Sequence, residues 1–482
     1  MAQSFDVVVI GAGPGGYVAA IRSAQLGFKT AVVEREFLGG VCLNVGCIPS
    51  KAMITATHLL HKAQHDFPTM GLNIKGSIEV DMKKLVTWKQ SVCDRMSNGV
   101  GTLLKGNGVT VLKGEASFKS STQLDVKLST GGTDTVTAKW FVIATGSRPI
   151  EIPGFKFDEK DIMSSTGALA LDHVPKRVVT IGGGYIGLEI SSYLRKLGCE
   201  VTVVEANTTL LHGVVDPECA QVVARKIEKS GVKVMYGAKA KGQKKASGGY
   251  EVTVELNGKD EVIKCDKILV TVGRKPNGDQ MNLKAAGIQV DERGFVKVNP
   301  QRRTNVQNIF AIGDIAGQPM LAHKASHEGV LVAEVIKGHN RVYDAKTVPA
   351  VVFTDPEIAS AGLLESEARA KGFNDLKIAK FPFAANGRAV SMSETEGFVK
   401  MIADAKTNVL LGVHIVGPEA SNLISEAALA VEMGARLEDV ALTIHPHPTL
   451  GETMMEAAEA TLGHAIHIIQ KPLNAPGKPA HA

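Results

Sequence analysis

A chain of 482 residues exceeds what one hydrophobic core normally serves, so several domains are expected. With 44% hydrophobic and 21% charged residues the composition is globular, and a net charge of +5 on nearly balanced acids and bases excludes the dense basic stripe of a nucleic-acid binder. No apolar run approaches the roughly 18 residues of a membrane helix, no cationic leader precedes the first strand, and the six cysteines form no secreted disulfide framework; the expectation is a reducing cytoplasm without membrane contact.

Residues 6–10, DVVVI, read as a buried strand that runs into GAGPGG, which places Gly11, Gly13 and Gly16 at the spacing G-x-G-x-x-G. A helical stretch, YVAAIRSAQLG, and a second strand, TAVVE, follow and end at Glu34. Next comes GGVCLNVGCIPSKA, residues 39–52, holding Cys42 and Cys47, and then a long amphipathic helix within 81–106. WFVIATGSRP, with Thr145 and Gly146, is a strand ending in a glycine turn. The opening pattern then recurs. RVVTI runs into GGGYIG, with Gly182, Gly184 and Gly187, then into LEISSYLRKLG, and EVTVVE ends at Glu205. Both copies put an acid 23 positions after the first glycine. One such motif is a weak signal; two at matched spacing predict two dinucleotide sites. The first glycine makes the turn, the second lets backbone approach a pyrophosphate, and the third lets helix pack on strand. Glu34 and Glu205 are expected to accept hydrogen bonds from ribose hydroxyls. A carboxylate at Glu205 repels a 2′-phosphate, and no arginine follows in EANTTLL, which favours NAD over NADP.

The lysine-rich 238–249 reads as a solvated hairpin. KILVTVGRKPN, with Gly273, and NIFAIGDIAG, with Asp314, are further strand-to-glycine turns, and Asp314 suits a polyol hydroxyl or a simple turn. MLAHKASHEGVLVAEVI, containing Ala322, reads as a helix. From about Val348 the texture changes to antiparallel strands interleaved with helices, the mark of a separate α+β domain, and the chain ends in a Pro/Gly/Ala-rich tail expected to be mobile.

Two cysteines five residues apart would be separated by about 140° and roughly 7.5 Å on a regular helix. A disulfide needs Cα atoms about 4.4–6.8 Å apart, so a bridge here requires a distorted turn, which Gly39, Gly40 and Gly46 permit. Pro49 suits the first turn of the helix PSKAMITATHLLHKA, which sets Cys47 at a helix N-terminus with Lys51 one turn on, both favouring a thiolate. Zinc would want four ligands, and His58, His61 and His65 come without a second cysteine pair, so no metal is expected. A redox pair is the stronger reading, and relaying electrons between nicotinamide and thiols calls for a flavin between them. The fingerprint upstream of the cysteines is therefore assigned to FAD and the second to NAD. Far downstream, TIHPHPTLGETMMEA holds His445, His447 and Glu452. This is either a base with its orienting carboxylate or two structural histidines in a Pro-rich turn.

GGVCLNVGCIPSKA, together with the other motifs, resembles the flavin-dependent disulfide reductases, the class I pyridine nucleotide-disulfide oxidoreductases, in their dihydrolipoamide-oxidising branch. The resemblance spans almost the whole chain; Val41 departs from the family's usual threonine, and the likeness weakens after about Gly463. It implies an α/β fold with two Rossmann-like domains and a C-terminal α+β dimerisation domain. The implied boundaries are 1–148 for FAD with the redox disulfide, 149–276 for NAD, 277–347 completing the FAD domain, and 348–482 for the interface. Thr145, Gly146, Asp314 and Ala322 are expected to join Gly11, Gly13, Gly16 and Glu34 around FAD. Glu189 and Gly273 are expected to join Gly182, Gly184, Gly187 and Glu205 around NAD. By the same likeness Cys42 is the outer sulfur and Cys47 the sulfur nearer the flavin. Lys51 lies by the flavin's reactive nitrogen with Glu189 as its partner, and His447 is the base with Glu452 behind it, reaching the disulfide of the other subunit of a homodimer. The substrate would be a dihydrolipoyl group on a separate carrier domain of a 2-oxoacid dehydrogenase or glycine-cleavage complex. The nearest rival is a glutathione-type disulfide reductase, which Glu205 disfavours. A mercuric reductase would need a cysteine pair after Cys265, and none occurs. A non-catalytic flavoprotein scaffold would need neither the cysteine pair nor the His-Glu couple.

Replacing Glu205 with arginine is expected to weaken NADH binding. Equal use of NADH and NADPH by the wild type in steady-state assays would refute the assignment.

Overall fold

The computed structural model describes residues 3–470; the Pro/Gly/Ala-rich tail, 471–482, lies outside the described residues. The first sheet has a parallel core in which Thr110–Ser120, Thr30–Glu34, Gln3–Ile10, Thr133–Ile143 and Ile309–Ala311 lie side by side. Gln123–Leu128 joins the first and fourth of these as an antiparallel meander. Val7, Val8 and Val9 are all fully buried, because helices cover one face of the sheet and the antiparallel strands with the segment 283–296 cover the other, so no solvent side remains for alternation to mark. The last strand, Ile309–Ala311, arrives only after the chain has built a second sheet and returned.

That second sheet is also parallel, in the order Lys233–Tyr236, Glu200–Glu205, Arg177–Ile181, Lys267–Val270, Ile162–Met163. An antiparallel three-stranded sheet, Lys239–Ala246, Gly249–Leu256 and Lys259–Cys265, interrupts it, and the lysine-rich segment is its first strand. The third large sheet is antiparallel: Ala350–Val352, Glu357–Gly362, Leu410–Gly417, Phe398–Asp404 and Leu376–Pro382. The helices Ala420–Met433 and Glu452–Leu462 share its core through Ile424, Ala427, Met454 and Ala457. Among the described residues no helix is long and apolar enough to cross a membrane.

The two fingerprint turns are near copies. Gly11 and Gly182 sit at φ +95° and +105°, a region closed to most side chains. A Cβ at Gly16 would stand 1.9 Å from the Gly11 carbonyl oxygen, and one at Gly187 would stand 2.3 Å from that of Gly182. At Gly13 and Gly184 a Cβ would meet nothing within 4 Å, so these positions leave open space in front of the helix N-termini. Behind the first turn, the helix Pro14–Gln25 packs so closely on Ala322–Ile336 that a Cβ at Gly329 would lie 2.6 Å from the Gly15 oxygen.

Alanine at Gly187 should therefore cost about 1–3 kcal/mol through overpacking and lower the melting temperature. Alanine at Gly184 should leave stability unchanged and weaken NADH binding alone; thermal unfolding with NADH titration separates the two, and equal destabilisation would contradict this division.

Candidate functional site

Between Glu34 and the long helices, Gly39 and Gly40, at φ +85° and +62°, start a short helix, Gly40–Asn44, that carries Cys42. It is pressed against the first fingerprint: a Cβ at Gly40 would lie 2.7 Å from the Gly13 Cα. The helix breaks at Val45 and Gly46, and a new one, Cys47–His65, begins. The sequence placed this start at Pro49, two residues late. Pro49 still falls in the first turn, where backbone N–H groups lack helical partners, so its ring removes no bond. The break turns Cys42 back toward Cys47, and both are free thiols on the wall of one cavity.

The two sulfurs differ sharply in acidity. The Cys42 thiol is pushed far up, first by its hydrogen bond to Cys47 and then by burial. The same bond pulls Cys47 down to about 7 against the cost of burial, and the Lys51 cation helps. Cys42 therefore holds its proton while Cys47 is the first of the two to give its proton up. Lys51, one turn along the same helix, donates to Glu189 Oε2 at 2.8 Å. Glu189 reaches in from the helix Tyr185–Lys196 of the second unit, and its other oxygen accepts the Phe353 N–H at 3.0 Å.

A cavity of about 450 Å³ opens in front of these groups. It gathers Gly11, Gly13, Glu34, Thr145, Gly146, Asp314 and Ala322 with Cys42, Cys47, Lys51 and Glu189. Gly16 lies behind it as packing, while Gly182, Gly184 and Gly187 of the second turn, Glu205 at the end of Glu200–Glu205 and Gly273 just before Arg274–Pro276 are not among its lining residues. The lining fits a large polar cofactor. Thr145 Oγ1 is buried there without a hydrogen-bond partner, and the space before Gly13 is open. Asp314 accepts the Ser147 hydroxyl at 2.5 Å, and Arg274 Nε donates to that hydroxyl at 2.8 Å. Glu34 accepts the Ala12 and Glu36 N–H groups at 2.7 and 2.8 Å; Glu205 accepts those of Gly183 and Asn207 at 2.6 and 2.7 Å. Each acid thus pins its own glycine turn, a role not read from the sequence. Each accepts a third bond, from the Phe37 N–H and the Asn207 side-chain amide respectively, so of about four acceptor positions on a carboxylate one remains for a ribose hydroxyl.

His447 lies outside this cavity, on the third unit, with its side chain 77% exposed. Its Nδ1 faces Glu452 Oε1 at 2.8 Å, so Nδ1–H donates there and Nε2 carries the free lone pair. Burial pushes the Glu452 carboxyl up, but the hydrogen bonds from His447 and the Thr449 N–H outweigh it and hold the group below its usual range. His445 is nearly buried, tied to Glu426 at 2.9 Å and to the Thr443 carbonyl. Among the described residues no cluster of three or more His, Cys, Asp or Glu gathers as metal ligands.

Three site residues escaped the sequence reading. Arg274 follows Gly273 directly, and an arginine in a strand-end turn was the available signal. Tyr185, the aromatic in GGGYIG, lines the cavity between the two units. Glu328 is fully buried and accepts the Gly313 N–H at 2.6 Å, fixing the turn that carries Asp314; mid-helix glutamate gives no such signal.

Residues 5–329 match the family model of the pyridine nucleotide-disulphide oxidoreductases, and residues 348–458 match that family's dimerisation domain. The dihydrolipoyl dehydrogenase of Geobacillus stearothermophilus is 49% identical over 97% of this chain and 98% of its own length. That of Haloferax volcanii is 46% identical over 98% and 99%. Among solved structures, LpdA from Mycobacterium tuberculosis superimposes with a TM-score of 0.87 at 27% identity, covering 95% of this chain and 99% of that one. The flavoprotein disulfide reductase RclA of Escherichia coli, solved as a Cu(II) complex, gives 0.83 at 27% identity over 95% and 100%.

In the reduced protein the ultraviolet thiolate absorbance, taken as wild type minus Cys47→Ser, should titrate with a midpoint of about 7. Above it Cys47 is the thiolate while Cys42 stays protonated. A midpoint near 9, the ordinary thiol value, would contradict the asymmetry.

Proposed function

The chain belongs to the pyridine nucleotide-disulphide oxidoreductase family, and from that premise we propose how its residues reoxidise a dihydrolipoyl group with FAD and NAD as cofactors. The observation that carries the reading is the placement of Cys42 and Cys47, with the Lys51–Glu189 pair, at the wall of a cavity that both nucleotide-binding units line; there the Cys47 thiol is pulled down and the Cys42 thiol pushed up.

We place FAD along Gly11, Gly13, Glu34, Thr145, Gly146, Asp314 and Ala322, with Gly16 closing the turn, and NAD along Gly182, Gly184, Gly187, Glu189, Glu205 and Gly273. When bound, FAD takes an electron pair from the thiol couple and NAD+ carries that pair away. The residues of the chain do the rest. One thiol of the substrate loses its proton to His447 Nε2, and Glu452 holds the imidazolium that forms. The resulting thiolate attacks Cys42 Sγ, the Cys42–Cys47 bond breaks, and Cys47 leaves as the thiolate that its lowered pKa favours. The second substrate thiol then attacks the first sulfur and closes the lipoyl ring. Its proton passes to the departing Cys42 sulfur, which holds protons tightly. One disulfide is consumed and one made, and the remaining proton rests on His447. Lys51, neutralised by Glu189, keeps a positive group beside Cys47 and the cavity.

His447 is exposed on the face of the dimerisation domain and absent from the cavity wall of its own chain. We assign it to the cavity of a second copy, which makes the working unit a homodimer with shared sites. We take 1–148 with 277–347 as the FAD unit, 149–276 as the NAD unit and 348–482 as the interface unit. The described residues form no lipoyl-carrier domain, so the reading assigns the substrate to lipoylated carrier domains of 2-oxoacid dehydrogenase or glycine-cleavage complexes in the cytoplasm.

Steady-state assays pitting dihydrolipoamide with NAD+ against glutathione disulfide with each reduced nicotinamide should give turnover with the first alone. Cys42→Ser or Cys47→Ser should abolish it with FAD retained. His447→Gln should lower it by about 10²–10⁴-fold. Preference for glutathione disulfide, or full activity without either cysteine, would overturn the proposal.

A further inference from the structure

The dimerisation domain reaches the redox centre of its own chain through residues 353–355, just past the edge strand Ala350–Val352. Two helices meet there: Cys47–His65, which carries the reactive cysteine, and Tyr185–Lys196 from the second unit. At one level Lys51 Nζ bonds Glu189, Glu189 accepts the Phe353 N–H, and Lys51 Nζ lies 4.3 Å from the centre of the Phe353 ring. Seven residues further along both helices the arrangement repeats. Lys196 donates to Asp355 at 2.6 Å, and His58 Nδ1 faces the same carboxylate oxygen at 3.4 Å. Phe353 and Asp355 therefore grip the same two helices at two levels, two turns apart.

We propose that Phe353 is a positioning residue for the redox centre: its ring and its backbone N–H fix the Lys51–Glu189 pair so that the Lys51 charge stays beside Cys47. This rests on the proposed role of Lys51. The ammonium has three donors on a flexible four-carbon stem, and a single ion pair does not fix its direction. The aromatic face supplies a second attraction, from a side the carboxylate does not occupy. Glu189 is in turn held from both ends, by Lys51 on one oxygen and the Phe353 N–H on the other, so the pair cannot swing into the cavity together. Phe353 itself is not among the cavity-lining residues, so it touches neither substrate nor cofactor there. The second level, at Asp355, fixes the segment's register on both helices. The charged and titratable groups acting on Cys47 are Cys42, Lys51 and Glu189; losing the ring changes only how Lys51 is held.

The test uses the dimeric, FAD-loaded enzyme, reduced, with the Cys47 titration read as a difference against the matching Cys47→Ser double variants. Phe353→Leu keeps the N–H and removes the ring face; Phe353→Trp restores a stronger one. Without the ring face Lys51 spends less time beside Cys47, which should move the Cys47 midpoint up by as much as about half a pH unit, roughly a threefold loss of thiolate below the midpoint. Phe353→Trp should return it, with FAD content and dimer mass unchanged in both. An unmoved midpoint in Phe353→Leu, or equal shifts in both variants, overturns the proposal. Loss of FAD or of the dimer in Phe353→Leu would do so too, by assigning Phe353 to packing. Lys51→Met separates the levels: if it shifts the midpoint and Phe353→Leu does not, only the Phe353 inference fails. If Lys51→Met also leaves the midpoint in place, the reading of Lys51 fails with it.

Discussion

The juxtaposition of the Cys42 and Cys47 thiols at one cavity wall is the feature that the rest of the site serves. It makes two chemically identical side chains unequal, one a tight proton holder and the other a thiolate near neutrality. A regular helix would hold the two sulfurs apart, so the chain has to stop one helix and begin another between them. Gly39 and Gly40 supply the left-handed backbone that starts the first helix, and Gly46 fills the gap, where a Cβ would stand 2.9 Å from the Val41 oxygen. Restarting at Cys47 gives the second sulfur a helix N-terminus, whose dipole and free N–H groups favour the anion. Backbone geometry and thiol acidity are thus consequences of the same two-residue break.

A thiolate at a cavity wall needs a counter-charge that does not cancel it. Lys51 supplies the charge, and Glu189 limits it, since this carboxylate raises the Cys47 pKa as Lys51 lowers it. The pair spans 138 residues of sequence and joins the first unit to the second. A comparable chain joins Arg274 through Ser147 to Asp314, again crossing from one unit to the other. The cavity is therefore a seam, and its polar groups are held in place from the side opposite to the one that presents them. That arrangement suits electron transfer between two bound nucleotides, because the reacting faces then move with both units together.

What the sequence disclosed and what it withheld divide along the range of the forces involved. The fingerprint glycines were legible because each answers a local steric demand: Gly11 and Gly182 a positive φ, Gly16 and Gly187 an approach of about 2 Å between Cβ and carbonyl oxygen. The strands and the helix Ala322–Ile336 were legible from their hydrophobic patterning. The helix start at Cys47 was misplaced because proline marks the first turn without fixing which of its positions it takes. The Lys51–Glu189 pairing came from resemblance, since no local rule reaches across so much chain. Phe353 was invisible: a phenylalanine ending an edge strand reads as ordinary packing until the ammonium 4.3 Å from its ring is seen. Glu34 and Glu205 were located by spacing, yet their grip on Ala12 and Gly183 emerged only from the folded turns.

The third unit faces two ways. Through Phe353 and Asp355 it contacts the helices at the redox centre of its own chain, while His447 is exposed and not among the residues lining that cavity. Just before His447 in the chain two large apolar side chains are uncovered: Leu442 and Ile444 are 80% and 94% exposed. Side chains of that size seldom stand so bare on a finished surface, and this region matches a dimerisation domain. Covering Leu442 and Ile444 with a second copy would carry the base, three to five residues on, into the interface. Dimerisation would then bring the proposed base into the interface, on the same small domain that holds the Lys51–Glu189 pair of its own chain through Phe353.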